Sequence, residues 1–353
     1  MEAHATTSTL GGGRSILERS PLHRVPDQVL RVGLSGLAVG VLILIGYFFV
    51  RLIGESSPAF SHTGFLDFLF RDNWDVAQLQ QGGVCTTAAG AGCTFGAWAL
   101  VLGTLITSGI ALVIGVPVAV ATALFLTELC PRRARWPLAI LVDLLAAVPS
   151  VVYGLWGVFV LIPHLKGFQH SLAHTFSFLP FVGGTVAGPS YFIAGLILAI
   201  MILPIVCAIA REVIATVPAE NKEAALALGA TRWEMIRMAV LPYSRPGITG
   251  GAMLGLGRAV GETIAVVLVI GNSPQLGHSI FQQGYTLASV IANEFGEAAS
   301  TPVHRSALFA AGLVLFVLTL FVNVVARRFV MRGVRGRRGA ADVMAPEPEA
   351  VAV

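Results

Sequence analysis

The chain has 353 residues, 55% of them hydrophobic and only 12% charged, with a formal net charge of +4. A charged share about half that of ordinary globular proteins, with a strongly positive mean hydropathy, excludes a water-soluble domain. Its only two lysines, Lys166 and Lys222, do not follow a glycine, so the Gly-Lys-Ser/Thr loop that cradles ATP phosphates is absent.

Six runs nearly free of charge reach spanning length: 32–50, 96–126, 137–163, 191–210, 247–271 and 306–326. A run of about 19 residues gives roughly 28 Å of helix against a hydrocarbon core of about 30 Å. Lipid leaves an open sheet edge unsatisfied, so the runs predict an all-α, polytopic protein with six transmembrane helices.

Residues 1–29 are polar and rich in Ser and Gly and read as a flexible tail. The first run exceeds the apolar core of a signal peptide, and no small-x-small cleavage site follows, so a retained anchor is expected. Residues 30–95 then comprise the first span and an external loop. There "FLDFLFRDNWD" crowds aromatics beside charges, as at a membrane interface. Cys85 and Cys93 of that loop either close a disulfide around "CTTAAGAGC" or stand as two free thiols; an oxidising exterior permits the bond. Cys130 and Cys207 lie at or inside the membrane and read as packing residues.

The second run is longer than one crossing needs and is expected to tilt, to kink near Gly115 and Pro117, or to project beyond the lipid. Arg132, Arg133 and Arg135 follow it. Asp143, in the third run, is a further candidate for the substrate pathway and has three open roles: pairing with an arginine of another helix, capping a helix end, or facing water. His170 and His174 have helical spacing but no third ligand beside them, so no metal site is expected. Further arginines cluster between the fourth and fifth runs and after the sixth, whereas the second external segment has only Lys166 and the third only Arg305. That alternation puts both termini in the cytoplasm.

Between the fourth and fifth runs stands "NKEAALALGATRWEMIRMAVLP". Pro218 suits the first turn of a helix, Gly229 its end, and Thr231 with Glu234 a capping box opening a second helix. Trp233, Ile236 and Val240 are spaced to share one face, and Pro242 is expected to end the helix. Such a hairpin can lie on the membrane, bind DNA or dock a cytoplasmic partner. Residues 211–246 carry five basic and four acidic side chains, too balanced to capture a phosphate backbone. Small residues for close approach, beside a Trp and aliphatics to fill a groove, favour docking.

In the fifth run Arg258 lies about 18 Å along the helix from Pro246, near mid-membrane. A charge there costs at least about 2.5–3.5 kcal/mol and must face protein or water. Glu262, four residues on, is expected on the same face within reach. The two either neutralise one another and fix packing, or Arg258 supplies positive potential along an anion pathway that Glu262 holds or switches. "GLGRAVG" lacks the spacing of a nucleotide fingerprint, and the pairs Gly251/Gly255 and Gly257/Gly261 read as helix-packing contacts. No nucleophile–base set points to catalysis.

Glu223-Ala224-Ala225, Gly229 and Leu241-Pro242 resemble the EAA signature of permease subunits of bacterial ABC importers, with Ala239 where that family often has Ile. The stretches "LLAAVPSVVYGLWG", "LPYSRPGITGGAMLGLGRAVGETIAVVLVIGN" and "LASVIANEFGEA" are similar to its PstC branch, and the resemblance covers residues 30–330. The resemblance implies a type I ABC importer permease core over residues 96–330, with the coupling loop at 216–243, a basic then disordered tail at 331–353, and residence in the bacterial cytoplasmic membrane. It implies transport of inorganic phosphate without a cofactor of its own, through Arg258 and Glu262. ATP would be hydrolysed on a PstB-like ATPase that grips Glu223, Ala224, Ala225, Gly229, Trp233, Leu241 and Pro242. The further partners would be a PstA-like second permease and a PstS-like external binding protein, with no nucleic acid. A PstA-like role for this chain, another oxyanion such as sulfate or molybdate, and a secondary transporter stay as alternatives.

Overall fold

The computed structural model describes residues 24–72, 74, 95–178, 181–183, 185–298 and 301–343. Cys85 and Cys93 lie outside them. The chain divides into two units, Met1–Arg51 and Leu52–Val353. In the first, helix α1 (Arg24–Thr63, continuing into the second unit) leaves Leu37, Leu42, Ile43, Leu44 and Phe48 all more than half exposed. A helix apolar all round has no polar face for water and belongs in lipid.

The second unit begins with the end of α1 and the short α2 (Phe65–Phe70), followed by α3 (Trp98–Leu124), which runs on through a π turn at Phe125–Leu129. Next come α4 (Arg132–Ala147), α5 (Ser150–Trp156), a second π turn at Gly157–Leu161, α6 (Ile162–Thr175) and α7 (Tyr191–Ala215). Then follow α8 (Ala219–Ala227), α9 (Arg232–Met235), a third π turn at Ile236–Val240, α10 (Leu241–Val260) and α11 (Ile264–Ile270). The last helices are α12 (Leu287–Ala298) and α13 (Pro302–Val343).

Among the described residues, five helical segments are long and apolar enough to cross a membrane: Val29–Ser61, Trp98–Leu129, Ser150–Thr175, Tyr191–Ala215 and Pro302–Arg328. A further pair, Arg232–Val260 and Ile264–Ile270, passes the same test only together and is bent by 65°. The protein is therefore an all-α, multi-pass membrane protein.

One expectation is corrected. The third apolar run is not one helix, because Val148 and Pro149 are extended (ψ 126° and 142°) between α4 and α5. A proline disfavours helical backbone in the residue before it, and α4 stops there. The spanning segment starts at Ser150, so Asp143 stands on the amphipathic α4, outside any span. In α3, Gly115 and Pro117 lie within one continuous helix. Gly115 also serves contact: a β-carbon there would come within 3.0 Å of the Ala199 carbonyl oxygen on α7.

Helix α7 is the most buried span. Its side chains unite one core with α3, α5 and α11 (Tyr153, Ile197, Leu198, Ile202, Val269) and another with the ends of α3 and α9 (Leu126, Val206, Ile214, Met235, Val240). Helix α10 is seated on α7 by glycines: a β-carbon on Gly247 or Gly255 would fall 2.4 Å from Val213 or 2.9 Å from Val206, and Gly251 abuts Ile209. Small residues four apart let two membrane helices close in this way. The expected pair Gly257/Gly261 does no such packing, because Gly261 lies beyond the end of α10.

A third core gathers Phe68, Trp74, Phe95, Tyr285 and Leu287 with the start of α13. Within it Glu294, only 6% exposed, accepts the Trp74 indole N–H at 2.9 Å and lies 2.9 Å from His304 Nε2. Phe95 stacks on the His304 ring. Burial, and then the neighbouring Glu294 carboxylate, push the Tyr285 phenol up to about 12.

Candidate functional site

The hairpin forms as its local chemistry requires. Helix α8 closes with the Gly229 N–H donating to the Leu226 carbonyl and the Ala230 N–H to that of Ala225. Gly229 has φ +84°, the left-handed backbone that an L side chain resists. The capping box is complete: the Glu234 N–H donates to Thr231 Oγ1 (3.3 Å), and Glu234 Oε2 accepts the Thr231 backbone N–H (2.8 Å).

Its second arm departs from expectation twice. Pro242 does not end the helix, which passes without a break from the π turn at Ile236–Val240 into α10. Residues 232–260 thus form one continuous rod from hairpin to mid-span. The π turn at Ile236–Val240 widens the helix and turns Met235, Ile236 and Val240 inward. Trp233 does not share their face; it is 64% exposed. Glu223, Ala224 and Gly229 are exposed as well, while Ala225, Leu241 and Pro242 are half-buried. Leu228 (89% exposed) and Met238 line a shallow concavity together with Ala224, Ala225 and Gly229. Large apolar side chains around small ones make a surface that a protein partner can cover.

One ion pair ties the hairpin to a span, and a second joins α4 to α7 nearby. Lys222 Nζ on α8 lies 2.6 Å from Glu128 Oε1 in the π turn below α3, both largely buried. Arg211 at the end of α7 pairs with Asp143 at 3.2 Å, which resolves Asp143 as the partner of an arginine on another helix. Sequence reasoning missed Lys222, although it is one of only two lysines in the chain.

Deeper in, the rod ends at Val260 and the chain bends. Arg258 stands in the last turn of α10, where unpaired carbonyls favour a cation. Glu262, beyond the break, accepts the Ala265 N–H of α11 at 3.3 Å. The expected Arg258–Glu262 pair is not formed, since unbroken helix over 258–262 was its premise. Among the described residues Arg258 has no ion-pair partner, and it is exposed to a groove between α10 and α13.

Residues 115–333 match the family model described as "Binding-protein-dependent transport system inner membrane component". The chain is 42% identical over 319 residues to the phosphate transport system permease protein PstC of Mesorhizobium japonicum, covering 89% of this chain and 92% of that relative. It is 40% identical over 315 residues to the protein of the same name in Pasteurella multocida, covering 88% and 93%. The chain belongs to this family, in its PstC branch. The permease is accordingly a non-catalytic membrane subunit of a binding-protein-dependent transport system. Among solved structures it bears an outline likeness, at 18% identity and TM-score 0.47, to a bacterial ABC transporter involved in import of the acidic polysaccharide alginate, covering 86% of this chain and 99% of that one. Cys130 and Cys207 are buried free thiols, and His170 and His174 are both exposed on α6.

Proposed function

We propose that this permease carries inorganic phosphate inward across the cytoplasmic membrane, driven by ATP hydrolysis on a separate subunit. The observation that carries the proposal is the continuous rod of residues 232–260, with an exposed docking hairpin at one end and the unpaired Arg258 at the other. Kinship with relatives named as phosphate permeases supports phosphate as the cargo.

In this account a PstB-like ATPase covers the hairpin at Glu223, Ala224, Gly229 and Trp233. When ATP closes the ATPase dimer, α8 and the rod move together because Gly229 fixes the turn between them, and the Lys222–Glu128 pair passes that motion to α3. The rod shifts Arg258 relative to the rest of the bundle, so the cation faces outside in one state and inside in the other. Only contacts that differ between the two states bias such a cycle. The bent pair counts as one span, giving six, with both termini in the cytoplasm and the permease core over 96–330 in a type I importer fold. A PstA-like permease completes the pathway and a PstS-like protein delivers the anion from outside. The start of α1 at Arg24 and the end of α13 at Val343 lie on the cytoplasmic side, and 30–95 supply the first span and external loop.

The test is transport by the whole importer in proteoliposomes. ATP-dependent accumulation of phosphate, outcompeting sulfate and molybdate, supports the proposal. Uptake that persists without ATP indicates a secondary transporter, and preference for sulfate or molybdate indicates another oxyanion; either result overturns it.

A further inference from the structure

The groove that receives Arg258 is lined on the α13 side by Asn323 and Arg327. These stand one helical turn apart and so share a face of α13. The register across the groove is close: a β-carbon on Gly257 would lie 3.9 Å from Asn323 Oδ1. Arg327 is the penultimate residue of the last spanning segment, Pro302–Arg328, and by topology alone is one more charge at the cytoplasmic end of a span.

The groove assigns it more than that. No carboxylate lines it, and neither Arg258 nor Arg327 has an ion-pair partner among the described residues. Glu262, the nearest acid in sequence, is engaged at the start of α11. The remaining walls include Met253, Leu254, Leu320 and Val324, apolar side chains that offer the two guanidinium groups no counter-charge. Two like charges facing one apolar-walled groove repel, and an oxyanion between them removes that cost. Guanidinium forks match phosphate oxygens, and the Asn323 amide can donate to the same anion.

We propose that Arg258, Asn323 and Arg327 form an oxyanion hand-over path in which Arg327 receives the transported anion from Arg258 on its way to the cytoplasm. The inference rests on the proposed function and extends it to the exit side. A lipid phosphate headgroup has the same chemistry, so the test must separate the two sources.

The whole importer is reconstituted with wild-type chain, Arg327→Gln or Asn323→Asp, in vesicles of zwitterionic lipid and in vesicles containing phosphatidylglycerol. Loss of one charge-assisted contact predicts uptake of inorganic phosphate falling by about tenfold in Arg327→Gln, with the ATPase still co-purifying. Arg327→Lys, which preserves the topological charge but not the fork, recovers only part of it. Asn323→Asp changes almost no volume but neutralises the path, and it predicts loss of uptake in both lipids; it decides the matter if Arg327→Gln fails to assemble. Wild-type uptake by both variants overturns the inference alone, as does an effect confined to phosphatidylglycerol vesicles, which would mark a lipid site. Absence of phosphate uptake by the wild-type importer overturns the proposed function along with it.

Discussion

Arg258 and Glu262 stand on opposite sides of a helix break, each at the helix end whose partial charge suits it. Arg258 occupies the last turn of α10, and Glu262 accepts an N–H at the start of α11, across a 65° bend. The pair therefore does not neutralise itself. A cation freed from its nearest acid in sequence is available to an anion.

Replacing Arg258 with Gln removes that charge without changing the hydrophobic surfaces that seat α10 on α7. Phosphate uptake is expected to fall to background while the permease stays in the membrane with its ATPase. Uptake assays paired with co-purification check this, and near-normal uptake would discard the pathway role.

Gly229 tests the turn separately. Nothing lies within 4 Å of where its β-carbon would be, so the cost of a side chain is its left-handed backbone. Gly229→Ala is expected to cost about 1–2 kcal/mol locally and to lower coupled ATP hydrolysis, whereas Gly229→Asn is expected to be milder because Asn tolerates that conformation. Substrate-stimulated ATPase rates of the assembled importer should rank Gly above Asn above Ala.

The bond between Lys222 and Glu128 predicts a charge-swap result. Lys222→Glu sets two carboxylates together and should reduce uptake by roughly fivefold, the factor for about 1 kcal/mol from a partly exposed pair. Adding Glu128→Lys should restore most of it. A double variant no better than the single one would show that the bond does not carry motion.

On the opposite cluster, Trp74→Phe keeps a ring but withdraws the N–H that Glu294 accepts. Leaving that buried acceptor short is expected to cost about 1–3 kcal/mol. The readout is a lower melting temperature in detergent, with coupling to the ATPase unaffected.

Much of this was legible from the residues. Charge depletion marked the membrane class, and the capping box and Gly229 marked the hairpin, because each is a short-range rule satisfied by a few neighbouring atoms. What failed depended on backbone geometry that composition does not carry. The run at 137–163 is apolar but for Asp143 and looks like one span, yet the Val148–Pro149 backbone splits it. Ile236 and Val240 were rightly paired, but a π turn left Trp233 outside their face. Pro242 resembles a terminator, yet the helix continues on both sides of it, with a π turn directly before. The partners Glu128 and Lys222, or Gly257 and Asn323, are distant in sequence and meet only through packing.

The most direct measurement is capture of the ATPase by the hairpin. The importer is purified through a tag on this chain, from cells that also produce the ATPase, with wild-type sequence, Glu223→Arg and Gly229→Trp compared at equal membrane content. The account predicts that the wild-type chain retains the ATPase and that both variants lose most of it. Retention in undiminished amount by both would contradict the claim that force enters this protein at residues 221–242.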